Sequence, residues 1–272
     1  MPEQNEISIN QWLDNLMARG AYGFSKDDLQ NEIPSYSDIA IKRALSRLST
    51  KGKIISIYKG YYLLIPPQYT SKGILPPALY LDAFMKHLNR PYYVGLLNAA
   101  AFHGASHQQP QEYFVMTDFP VIRSTQKKGL KINYISIKEL PESLIEKRKT
   151  EAGYLNISNA ALTACDLIQF EKRVGGLNRV ATVLNELVEV VKPRGFNSTL
   201  IKHTHVTVLQ RLGYLLENVC FNVELADALY ECMKQEELNV FRIPLKASKN
   251  TKGSSSDNRW KVVVNTEIEL DE

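Results

Sequence analysis

The chain has 272 residues, 44 % of them apolar and 23 % charged, with a formal net charge of +4. That length supports a sizeable core and a prior of two domains, and its composition excludes fibrous and low-complexity classes. No apolar run approaches the roughly 18 residues that span a bilayer, and the opening MPEQNEISIN has neither the basic nor the apolar region of a secretion leader.

Cys165, Cys220 and Cys232 lack CxxC spacing, which points to buried thiols in a reducing cytoplasm rather than a disulfide frame or zinc site. Positive charge is placed rather than abundant. Residues 1–39 hold seven acids and two bases, whereas residues 42–59 hold six bases (Lys42, Arg43, Arg47, Lys51, Lys53, Lys59) and no acid. Such a run is ordinarily a solvated helix face, so the structure that carries it decides its meaning.

The first helix is expected from Ile9, Trp12, Leu13 and Leu16, ending near Arg19-Gly20. FSKDDLQNEIP predicts a short second helix, capped by Ser25 with Asp28 three residues on and stopped by Pro34. Ser35 or Ser37 then caps a third helix whose apolar face is Ile41, Ala44, Leu45 and Leu48. Gly52 ends it, and KIISIY and YYLLI flank Lys59-Gly60 as a hairpin.

Helix, helix, turn, helix, hairpin is the order of a winged helix-turn-helix, expected over residues 1–65. In that arrangement the third helix buries one face and turns the basic one to a DNA major groove, while the hairpin brings Lys59 to neighbouring phosphates. Arg43 and Arg47 suit guanine edges, with Ser35, Tyr36 and Ser37 at the helix start. Lys42, Lys51 and Lys59 supply backbone contacts and a strong salt dependence. A winged helix used for protein contact is the alternative.

IPPQYTSKGILPP reads as a semi-rigid linker over residues 66–77. Residues 78–272 follow as a larger mixed α+β domain, so the fold class is α+β. ALYLDAFMKHL predicts a helix burying Leu79, Ala83, Phe84 and Leu88, and residues 94–102 a helix buried nearly all round and ended by Gly104. EYFVMTD, LKINYISI and GYLNIS read as strands, the second alternating Ile132 and Tyr134 against Asn133 and Ile135. Helices are expected over 159–170, 177–191, about 204–217, and 223–235. NVFRIPL and RWKVVVN close the chain as strands around a disordered-looking KASKNTKGSSSDN.

Three stretches resemble the AbiE (AbiEi) antitoxins of bacterial type IV toxin–antitoxin, or abortive infection, systems. They are RALSRLSTKGKIISIYKGYYLLIP, then YYVGLLNAAAFHGA with the YFVMTD strand, then GYLNISNAALTACDLI, in the family's order across most of residues 10–190. The resemblance implies a transcriptional autorepressor that binds inverted repeats in its own promoter through the N-terminal winged helix. It further implies a C-terminal domain opposing a nucleotidyltransferase toxin without a stable complex.

Nothing reads as an enzyme or as a cofactor site, and no membrane partner is expected. His103 ends a predicted helix and suits its free carbonyls; His107 follows in a loop. His203 and His205 are two apart, which on a helix separates them by about 200°. Gly175-Gly176 precedes a helix but lacks GxGxxG. Glu267, Glu269, Asp271 and Glu272 form an acidic tail, and they carry the rival reading, a metal-dependent nuclease or nucleotidyltransferase-like enzyme. A second basic stretch, RSTQKKGLK, offers Arg123, Lys127, Lys128 and Lys131 as a cationic hairpin or loop that extends a DNA footprint or faces a partner.

Overall fold

The structure, a computed structural model, describes residues 7–105 and 112–270, so His107 and the last two carboxylates lie outside the described residues. The chain divides into two units, Met1–Tyr92 with Gln111–Lys138 and Lys147–Asn156, and Tyr93–Pro110 with Glu139–Glu146 and Ile157–Glu272.

In the first unit, helix α1 (Ile9–Ala18) starts at Ser8, whose Oγ accepts from the Gln11 N–H at 3.3 Å. Strand β1 (Gly23–Ser25) leads into α2 (Lys26–Glu32) through a full capping box. There the Asp28 N–H donates to Ser25 Oγ at 2.9 Å and the Ser25 N–H donates to Asp28 Oδ2 at 2.8 Å. Helix α3 (Asp38–Thr50) is capped by Ser37, not Ser35. Its Ile41, Leu45 and Leu48 are buried, Ala44 is half-buried, and the stripe packs with Leu13, Phe24, Leu29, Ile54 and Leu64 in one core.

Strands β2 (Ile54–Tyr58) and β3 (Tyr61–Leu64) make the expected antiparallel ribbon around Lys59-Gly60. The sheet is one strand wider than expected, because β1 pairs with β3, giving the order β1-β3-β2. A three-residue strand has no periodicity to read.

Residues 66–77 fold into short 3-10 turns at each end and bury Ile74 and Leu75. Helix α4 (Leu81–His87) buries Leu81, Phe84 and Met85; Ala83 is exposed, contrary to expectation. The 3-10 turn Pro77–Leu79 precedes α4, so the inward face is set from Leu81. Residues 94–102 are likewise not one helix: β4 (Tyr92–Val94) precedes α5 (Leu96–Phe102).

Strands β5 (Glu112–Thr117), β6 (Thr125–Lys127), β7 (Leu130–Ser136), β8 (Ile145–Thr150) and β9 (Gly153–Ser158) follow. With β4 they form a six-stranded sheet of order β6-β7-β5-β4-β9-β8. β5 and β7 run parallel, Val115 opposite Tyr134, and β6 and β7 form a hairpin. Ile132 to Ile135 are all buried, so burial on both faces replaces the expected alternation.

The second unit is mainly helical. Asn159 caps α6 (Ala160–Gln169), in which every residue from Ala161 to Ile168 is buried. Helices α7 (Leu177–Leu187), α8 (Ser198–His203), α9 (Val206–Asn218) and α10 (Val223–Gln235) complete the set. α8 was not foreseen. Strands β10 (Ile243–Pro244), β11 (Ser255–Ser256) and β12 (Val262–Val264) form a small sheet, so residues 246–258, expected to be disordered, contain a strand. Trp260, 1 % exposed, anchors this end: its Nε1 donates to Glu217 Oε2 at 2.6 Å, and its ring lies where a Cβ on Gly213 would stand 2.0 Å away.

Candidate nucleic-acid interface

At about 100° per residue, burying Ile41, Leu45 and Leu48 turns Ile39, Arg43, Ser46 and Thr50 to the opposite side of α3. Lys42 and Arg47 flank them, and all six are exposed. Lys42, Ser46, Ser49 and Thr50 line an open groove of about 390 Å³ together with Tyr62 of β3, which joins helix and ribbon into one concave surface.

The ribbon is fixed from behind. Tyr58 meets the Phe84 ring edge-on at 5.6 Å, Tyr61 lies 5.1 Å from the same ring, and the Gly60 carbonyl accepts from the Lys26 N–H at 2.8 Å. Lys59 thus stands exposed at the ribbon's turn, and Lys51 and Lys53 are exposed on either side of Gly52, whose φ of 69° ends α3. Among the described residues Arg43, Arg47, Lys51, Lys53 and Lys59 form no ion pair.

Lys42 differs. Its Nζ lies 2.7 Å from Asp38 Oδ2, and Lys26 of α2 pairs with the other oxygen of the same carboxylate. Hydrogen bonds from Lys26 and then Lys42 hold Asp38 below the usual carboxylate range. At the helix start, Ser37 is occupied as the cap. Tyr36 is half-buried against the core, its carbonyl accepting from Gln30 Nε2 at 3.0 Å, while Ser35 is exposed. Two features escaped the sequence reading: Ile39, 63 % exposed, and the ion triad on Asp38. An apolar residue off the buried stripe signals the first, and i, i+4 spacing signals the Lys42 half of the second.

The second basic stretch is a hairpin, β6 to β7. Arg123, Lys127 and Lys128 are exposed, but Lys131 is 3.0 Å from Glu112, its partner across the parallel register. The hairpin meets the linker, where the Lys128 side chain runs beside Gly73, and burial raises the Tyr134 phenol.

Other candidates are structural. His103 Nε2 is 2.8 Å from the Ser158 carbonyl, tying α5 to β9. His203 ends α8 and His205 precedes α9 without a side-chain capping bond; burial lowers the His203 imidazole. Glu267 and Glu269 lie outside any strand, and among the described residues no group of three His, Cys, Asp or Glu could hold a metal. The second unit holds one unusual acid. Burial pushes Asp166 up to about 7 although the Tyr93 hydroxyl donates to it at 3.1 Å.

Residues 93–218, a little under half of the chain, match the sequence profile of the AbiEi antitoxin C-terminal domain. This match supports an AbiEi-type antitoxin. The matched stretch runs from β4 to the end of α9, so it includes the Tyr93–Asp166 pair and the His103 contact but neither α3 nor the ribbon. The fold is similar to that in the crystal structure of the RV2827C protein from Mycobacterium tuberculosis, with a TM-score of 0.68 at 17 % identity over 93 % of this chain and 90 % of that one. No curated protein matches the chain in sequence.

Proposed function

We propose that this chain is an antitoxin and also a DNA-binding transcriptional autorepressor. In this reading α1, α2, α3 and the ribbon are a winged helix-turn-helix, α3 enters the major groove of inverted repeats in the protein's own promoter, and residues beyond the 66–77 linker oppose a nucleotidyltransferase toxin without a stable complex. The observation that carries it is the exposed face of α3: two arginines, with three lysines at its end and on the ribbon, all without acidic partners. A surface built only for solubility intersperses both signs; one that meets phosphate does not.

Roles follow from position. Arg43 and Arg47 reach guanine edges, Ile39 reaches a thymine methyl, and Ser35 lies at the helix start. Lys51, Lys53 and Lys59 hold phosphates, and Arg123, Lys127 and Lys128 continue the cationic track past the ribbon. Lys131 is neutralised by Glu112 and drops out of that track.

A reporter gene driven by the DNA upstream of the protein's own operon tests this reading. Wild-type protein is expected to silence it, and Arg43→Ala with Arg47→Ala to restore expression. Silencing that survives the double substitution would refute the assignment.

A further inference from the structure

One carboxylate stands at the start of α3, on the flank that carries Lys42, and its placement is specific. Asp38 is the first residue of α3, and it holds Lys42 at 2.7 Å from the same helix and Lys26 from α2. The Asp38 side chain is 48 % exposed and that of Lys42 is 63 % exposed, so both are open to a partner from solvent. Resting on the proposal that α3 reads DNA, we infer that Asp38 is a specificity-determining residue: it withholds Lys42 and Lys26 from arbitrary duplexes and releases them where a base edge satisfies its carboxylate.

Asp38 and phosphate compete for the same lysines. A lysine bound to a carboxylate within its own protein displaces no counterion until that pair opens, and the uncovered carboxylate then repels phosphate. On arbitrary sequence nothing offsets either effect. In the major groove a cytosine N4 amino group donates to a carboxylate, and the first turn of a recognition helix is where base edges are met. With Asp38 so engaged, Lys42 is free to hold phosphate. The carboxylate therefore weakens binding everywhere except at a site presenting that donor. The free arginines and lysines of the same face have no such restraint.

Asp38→Asn keeps the shape and the Ser37 cap while removing the charge. The probes are a short random-sequence duplex and a pool of duplexes randomised over the binding site. Anisotropy titrations between about 50 and 200 mM salt are expected to give the variant tighter random-duplex binding and a slope steeper by about 0.9 for each lysine released. At that slope one added phosphate contact is worth about fivefold at ~0.15 M salt relative to 1 M. Selection from the pool is expected to recover a cytosine preference with wild-type protein that the variant loses. A second arm uses Lys42→Gln: it should weaken random-duplex binding less than Lys51→Gln does, because Lys42 is already engaged.

Wild type and Asp38→Asn with equal random-duplex affinity and the same selected sequences would overturn the inference while leaving DNA binding intact. So would a Lys42→Gln loss as large as that of Lys51→Gln. Wild-type protein without affinity for any duplex would instead remove the reading beneath it.

Discussion

Helices α3 and α6 differ in how many of their sides the protein covers. From Ala161 to Ile168 every residue of α6 is buried, including Asp166, which hydrogen-bonds to Tyr93. In α3 only one stripe is buried, and the remaining surface carries exposed cations beside a fixed ribbon. The first pattern serves packing, and substitutions there are felt as stability. The second leaves a charged surface with little effect on the core, so its substitutions should be felt in binding.

The largest effect is expected in the second unit's packing. Trp260→Ala should cost about 3–5 kcal/mol in urea unfolding, whereas Arg43→Ala should stay within about 0.5 kcal/mol. Comparable losses would erase the distinction.

The next concerns Asp166. Its folded value, about 7, lies above the unfolded carboxylate range because burial favours the neutral acid. The stability this group contributes is therefore complete in acid and is lost as pH rises through about 7. Asp166→Asn should gain on wild type by on the order of 3 kcal/mol between pH 5 and pH 8. Urea midpoints whose separation does not change with pH would contradict this.

On the exposed side, Arg47→Ala should weaken operator binding by about 1–3 kcal/mol and relax the preference at one base position. The smallest effect is that of Lys59→Ala. It should leave sequence preference unchanged and reduce the salt slope by about 0.9. If Lys59→Ala altered base preference instead, the division between positioning and reading residues would fail.

The legibility of the chain follows the same contrast. α1 to α3 and the ribbon were readable because apolar spacing, the Ser25–Asp28 capping box and the Lys59-Gly60 turn all point one way. β8 was not, since IEKRKT is a charged strand at a sheet edge, where exposure and lysines protect against stray pairing and hide the apolar pattern. β1 and α8 are too short to show a period. Within the candidate site, the exposure of Arg43 and Arg47 followed from their offset to Ile41 and Leu45. The pairing of Lys26 with Asp38, and of Lys131 with Glu112, depends on contacts between separate elements that no local spacing encodes.

On the proposed reading, the basic face of α3 and its ribbon bind DNA and choose its sequence. Fluorescence anisotropy at about 150 mM salt, with the operon's own upstream DNA against a random duplex of equal length, measures it directly. At least about a thousandfold preference for the upstream DNA is expected. Equal affinity for the two would rule out sequence-specific binding by this face.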